Sequence, residues 1–145
     1  MAYRISEHFT LEEIYSSTTA KKYNIDNTPS ASIQKNIMAL VVEILEPLRQ
    51  AYGKPIMITS GYRCPKLNTK INGSKNSAHM SGFAVDTKSE DMKEYQEFVL
   101  DWIKDKNFDQ CIIEHPKNGV ASWIHISLKN SKGEQRKQII TINQS

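Results

Sequence analysis

Ser77-Ala78-His79-Met80-Ser81-Gly82-Phe83-Ala84-Val85-Asp86 is the stretch on which the fold and the chemistry are read. It closes a polar segment, Gly61 to Ser81, with room for at most one short helix near 65–71. Polar loops of roughly that length inside a compact domain are usually functional. Phe83 to Asp86 reads as a strand, and alternation puts Gly82, Ala84 and Asp86 on one face with Phe83 and Val85 on the other. Phe83 and Val85 suit a core. Asp86 is left on a face cleared by a glycine and an alanine, as a pocket requires. His79 lies just ahead of the strand and can fold back over it.

Downstream, residues 90–106 place Met92, Tyr95, Phe98, Val99, Trp102 and Ile103 on one side of a helix. Gln110 to Glu114 and Ser122 to Leu128 flank a Pro/Gly/Asn loop and read as a hairpin. Ile124, Ile126 and Leu128 point one way; Trp123, His125 and Ser127 point the other. Glu114 shares a face with Ile112 and can lie opposite or diagonal to His125. Lys129 to Lys137 is a charged turn, and Gln138 to Ile142 a last strand.

Upstream, Thr10-Leu11-Glu12-Glu13 is a capping box opening a helix near 10–17. Residues 18–31 read as loop with one turn. Ser30 or Ser32 caps a long helix, about 31–51, with a stripe from Ile33 to Leu48. Pro47 should kink or tighten its last turns, and Gly53 should end it. Pro55 to Thr59 is a short strand. Helices first and a mostly antiparallel sheet after them give an α+β fold.

The 145 residues suit a single domain, 1–145, expected to be a monomer. Lys and Arg number 19 against 16 Asp and Glu, and a net charge of +3 is too small for the basic stripe of a nucleic-acid binder. No apolar run approaches the roughly 18 residues of a membrane span. Met1 to His8 has no apolar h-region, so no secretory leader is expected. Cys64 and Cys111 have no metal or redox spacing and read as two reduced thiols.

His79, Asp86 and His125, with Glu114 nearby, suit a catalytic zinc site: three ligands and a position left open for water. A general base is needed to take the water's proton, and Glu114 is the available carboxylate. From spacing alone other readings stay open. His79 can be a loop histidine bonded to backbone, Asp86 a turn former at a strand end, and His125 an exposed strand residue. His8 reads as a solvated residue beside the first cap, and His115 as part of the hairpin loop.

The whole string is more specific. Ser77-x-His79-x-x-Gly82-x-Ala84-x-Asp86 followed by Trp123-x-His125 resembles the signature of the zinc D-alanyl-D-alanine peptidases, which share a fold with the zinc domain of Hedgehog proteins. His8 to Glu13, Ile25-Asp26-Asn27-Thr28-Pro29, Glu46-Pro47-Leu48-Arg49, Ser60-Gly61-Tyr62-Arg63 and Phe108-Asp109-Gln110 resemble its compact branch, often encoded by phages. The resemblance implies a peptidoglycan hydrolase with one Zn2+, acting on stem peptides of the bacterial wall next to D-alanine. It implies His79, Asp86 and His125 as zinc ligands. Arg63, Ser77 and Gln110 would meet substrate, Arg63 also polarising the scissile carbonyl. For Arg63 the alternative is a structural ion pair, and for Ser77 a turn or cap. Many members carry the catalytic glutamate three residues before the last histidine; here Ser122 stands there, and Glu114 is the expected substitute. That departure keeps a second possibility, a zinc-binding wall-binding or structural module without turnover. Lys66, Lys70 and Lys75 are further expected positive groups beside the site. With no leader, such an enzyme would reach the wall after phage-type release.

Overall fold

The computed structural model describes residues 3–143. The capping box forms as its residues dictate. The Thr10 hydroxyl accepts from the Glu13 amide, the Glu13 carboxylate accepts from the Thr10 amide, and α1 runs Leu11–Tyr15. Residues 18–31 are more ordered than expected, holding a short helix, α2 (Thr18–Lys22), capped by Ser17. Ser30, not Ser32, caps α3 (Ala31–Leu40). The helix continues through a π turn, Val41–Leu45, into α4 (Glu46–Tyr52), which Gly53 ends at φ 75°. It widens ahead of Pro47 rather than tightening. The proline ring crowds the carbonyl four residues back, and the Glu46 amide reaches five residues back to the Val41 carbonyl.

Five strands follow: β1 (Met57–Ser60), β2 (Ala84–Lys88), β3 (Gln110–Glu114), β4 (Trp123–Ser127) and β5 (Gln138–Ile142). Their spatial order is β1-β2-β4-β3-β5, antiparallel except for the β3–β5 pair. Two further helices are α5 (Pro65–Lys70), inside the polar segment, and α6 (Met92–Trp102). This is the α+β architecture expected. Val85, Ile124, Ile126 and Leu128 pack into one core with Ile37, Leu40, Ile44 and Leu48 of the long helix and Tyr95 and Val99 of α6. The helices therefore cover one sheet face, and the other is free to carry chemistry.

Gly82 departs from its expected role. It precedes β2, has φ 79°, and caps a 3-10 turn, Ala78–Ser81. A Cβ there would stand 3.0 Å from side chains of Ile33 and Ile37. Its missing side chain serves the turn and the approach of α3, and does not clear the pocket. Gly61 is needed for a closer approach, since a Cβ there would lie 1.9 Å from the Ile14 carbonyl oxygen. Buried Asn27 ties the same segment down. Its amide donates to the Tyr15 and Tyr62 carbonyls at 2.7 and 2.9 Å, and its oxygen accepts from the Cys64 amide at 2.7 Å. The Ile25–Pro29 motif thus fixes the backbone on both sides of Arg63.

His8 is not a free solvated residue. Its ring nitrogen Nδ1 lies 2.7 Å from Glu46 Oε2, and its amide donates to Glu46 Oε1 at 2.8 Å. Burial alone would raise the Glu46 carboxyl, but hydrogen bonds from Ser6, His8 and Gln50 outweigh it and hold it down to about 2. A depressed carboxyl stabilises the fold fully above its ordinary value of 4.5 and loses that contribution as pH falls toward about 2. Glu46→Gln should therefore lower the melting temperature by roughly 5 °C near neutral pH. Thermal melts of both proteins should show the gap narrowing below pH 4.5 and closing near pH 2; a gap independent of pH would refute the assignment.

Candidate metal centre

Asp86 on β2 and His125 on β4 are direct cross-strand partners. The 3-10 turn ahead of β2 brings in His79. His79 Nε2 lies 3.4 Å and His125 Nδ1 3.2 Å from the same oxygen, Asp86 Oδ1. The two imidazoles meet edge to face at 5.0 Å between centroids. One donor atom from each residue falls within 4.8 Å of the others. Two ligands about 2.05 Å from a tetrahedral zinc lie roughly 3.3 Å apart, so the spacing and the N/N/O donor set fit that ion. The His79 Nδ1–H donates to the Gly61 carbonyl at 2.8 Å, which leaves Nε2 with its lone pair toward Asp86. This backbone bond is the alternative reading of His79, and here it orients the ring instead of competing with a ligand role.

Electrostatics suit a set of metal ligands. Burial would raise the Asp86 carboxyl, but its contacts with His125 and His79 hold it well below the usual carboxylate range. Burial pushes His79 down, against the pull of Asp86. A neutral imidazole beside an ionised carboxylate is the ligand state a metal requires.

Glu114 lies diagonal to His125, since Ile112 is the direct partner of His125 and Trp123 that of Glu114. Its carboxyl is pushed up from the ordinary value, first by burial and then by the Asp86 charge. Arg63 donates from Nη2 to Ser77 Oγ at 3.0 Å, and the same hydroxyl accepts from the His79 amide at 3.2 Å. Ser77 is therefore a cap and an Arg63 contact at once. No carboxylate lies within ion-pair distance of Arg63 among the described residues. Burial lowers its guanidinium pKa, and Asp86 is the charge that opposes this.

These groups line one cleft of about 700 Å³. Three buried polar atoms on its wall have no hydrogen-bond partner: Arg63 Nε, His115 Nδ1 and Trp123 Nε1. Gln110 also lines it, with its amide donating to Gln138 Oε1 at 2.9 Å. Lys66, Lys70 and Lys75 do not. Lys70 stands over the Tyr23 ring at 4.0 Å, and Lys75 borders a separate depression beyond α5. Lys66 and Lys70 lie on α5 and Lys75 in the turns after it, and all three stand outside the cleft. The second cation of the cleft is Arg136, which the sequence reading missed. It sits in the charged turn before β5 and grips buried Asp109 through two bonds of 2.7 and 2.8 Å. Its only signal was Asp109 in the Phe108-Asp109-Gln110 segment, a carboxylate at a strand start in need of a partner. Ser122 turns away and donates to the His115 carbonyl at 2.7 Å.

A helix-backed sheet presenting two histidines and an aspartate in one cleft has the form of a zinc peptidase. The family profile of peptidase M15 matches residues 7–127, and the chain belongs to that family, whose members are zinc-dependent peptidases. A search of curated proteins finds no match to the chain. No helix among the described residues is long and apolar enough to cross a membrane.

Proposed function

We propose that this chain is a zinc metallopeptidase that hydrolyses peptide bonds of bacterial peptidoglycan next to D-alanine, with His79, Asp86 and His125 as metal ligands. The observation that carries the reading is the pair of imidazole nitrogens 3.2 and 3.4 Å from one Asp86 oxygen, beside the raised carboxyl of Glu114. Zinc, when bound, supplies a Lewis acid that activates a water and polarises the scissile carbonyl. The Glu114 carboxylate would serve as the general base, accepting a proton from the attacking water and returning it to the leaving amine. Arg63 offers its guanidinium fork to the carbonyl oxygen as charge builds there, or to a substrate carboxylate. Ser77 holds the guanidinium in place, and Gln110 offers an amide along the β3 side.

Chelation should abolish cutting of purified muropeptides and zinc should restore it, with mass spectrometry reading loss of D-alanine or opening of cross-links. Intact muropeptides at high load of the zinc-loaded chain would sink the proposal. Ser122, in place of the glutamate that many relatives carry, supports one second reading, a wall-binding module that holds zinc without turnover. Binding of muropeptides without cutting is its signature. Arg63→Lys keeps the charge but loses the fork. It should cost about 100-fold in kcat/KM with zinc content unchanged; a change below about threefold, against the same principle, would remove Arg63 from the reaction.

A further inference from the structure

We infer that β5 is a substrate-recognition strand: Ile140 and Ile142 form an apolar shelf beside the proposed metal ligands. The shelf holds an aliphatic side chain of the peptide two or three residues from the scissile bond. The inference rests on the peptidase reading above and adds what that site selects.

Sheet register carries it. Asp86, His125, Ile112 and Ile140 are successive cross-strand partners on β2, β4, β3 and β5. Partners in register point to the same face, so the row runs from the metal donors to Ile140 on the open side of the sheet. Ile142 stands in the next row as the partner of Glu114 and lines the cleft. Strands lie about 4.8 Å apart, which puts Ile140 two spacings, roughly 10 Å, from His125. An extended peptide covers about 3.3–3.6 Å per residue, so the shelf meets the second or third residue from the bond being cut.

Exposure makes the shelf an anomaly that needs an occupant. Ile140 and Ile142 are 37% and 41% exposed. An edge strand of branched apolar residues is a liability that proteins normally blunt with charge. β5, Gln138 to Ile142, carries no charged residue at all. The strand is nevertheless held firmly. Asp109 clamps Arg136, the Gln138 amide donates to the Asp109 carbonyl at 2.9 Å, and the His115 amide donates to the Ile142 carbonyl at 2.7 Å. The family match ends at residue 127, so β5 and Arg136 lie beyond the matched region, while Asp109 and His115, which hold them, lie within it. The side chain that fits is an aliphatic run, such as the methylenes of a lysine, over the two isoleucines.

The test compares acetyl-Lys-D-Ala-D-Ala with acetyl-Gly-D-Ala-D-Ala on the zinc-loaded chain, the double variant Ile140→Ser/Ile142→Ser, and Ile139→Ser. Ile139 is similarly exposed but partners Cys111, on the other face. The wild type should prefer the lysine peptide by about tenfold in kcat/KM, chiefly through KM, as expected for one partly buried side chain. The double variant should lose that preference, its two kcat/KM values becoming equal, while keeping its zinc. Ile139→Ser should keep the preference, the rate on the glycine peptide and the zinc. Because the preference is a ratio within each protein, a modest loss of stability does not imitate it. A preference that survives the double variant, or disappears in Ile139→Ser as well, overturns the shelf. So does a wild-type dimer in light scattering that the double variant abolishes, since a second copy then covers β5. Cutting of both peptides with no preference overturns the shelf alone; cutting of neither overturns the D-alanyl reading beneath it.

Discussion

His125→Ala should strip the chain of zinc and lower peptide hydrolysis by more than about 10³-fold, because metal activation of water and carbonyl supplies several kcal/mol of the barrier reduction. The substitution removes one of three donors and leaves Asp86 and His79, 3.4 Å apart, as a two-point site. Two donors do not hold zinc in the closed tetrahedral set that three donors and a water complete. The loss should show in a measurement independent of turnover. A ligand that binds only the native state stabilises it by about 4 kcal/mol at a thousand times its Kd. Added zinc should therefore raise the melting temperature of the wild type and leave that of His125→Ala unmoved. The apo variant should remain folded, since the core that joins sheet to helices lies on the opposite face from His125. Zinc stoichiometry near one per chain in the variant, with hydrolysis retained, would falsify the ligand assignment.

Much of this site is legible in the sequence because its geometry is local. The period of a strand alone puts Asp86 beside Ala84 rather than Val85, and His125 opposite in sense to Ile124 and Ile126. What alternation cannot supply is register, because it ranks faces and not partners. That Asp86 faces His125 directly, and Glu114 only diagonally, depends on how three strands slide past one another. The lysines of the polar segment were misplaced for a related reason. Residue type fixes their charge but not their place: Lys66 and Lys70 lie on the helix Pro65–Lys70, Lys75 follows it, and none of the three lines the cleft. Gly82 illustrates the opposite error. A missing side chain marks a close approach, and the sequence does not say whether substrate or helix is approaching; here it is Ile33 and Ile37. Arg136 is not legible from pattern, because its partner Asp109 is 27 residues away and nothing periodic joins them; a lone carboxylate signals the need for a partner and not which one.

Glu114→Gln should lower kcat by about 10²–10⁴-fold, the range for loss of a positioned general base, while leaving zinc content and muropeptide affinity intact. Glutamine keeps the volume and one oxygen, so the diagonal packing against His125 survives and only proton transfer is removed. The environment suits that task. Burial and the nearby Asp86 charge raise the Glu114 carboxyl, and a base whose pKa moves toward neutrality both accepts a proton and releases it to the leaving amine more readily. Ser122 is the control, since it occupies the position where many relatives carry the glutamate. Its hydroxyl is spent on the His115 carbonyl, so Ser122→Ala should leave kcat within about twofold, as expected for a residue outside the proton path. The pair of variants separates the two readings of the chain. A fall confined to Glu114→Gln assigns the base to β3 and makes the chain an enzyme whose carboxylate has moved to the neighbouring strand. Equal rates in wild type and Glu114→Gln remove Glu114 from the reaction. Affinity for muropeptides with no turnover in any of the three proteins leaves a zinc-holding binding domain.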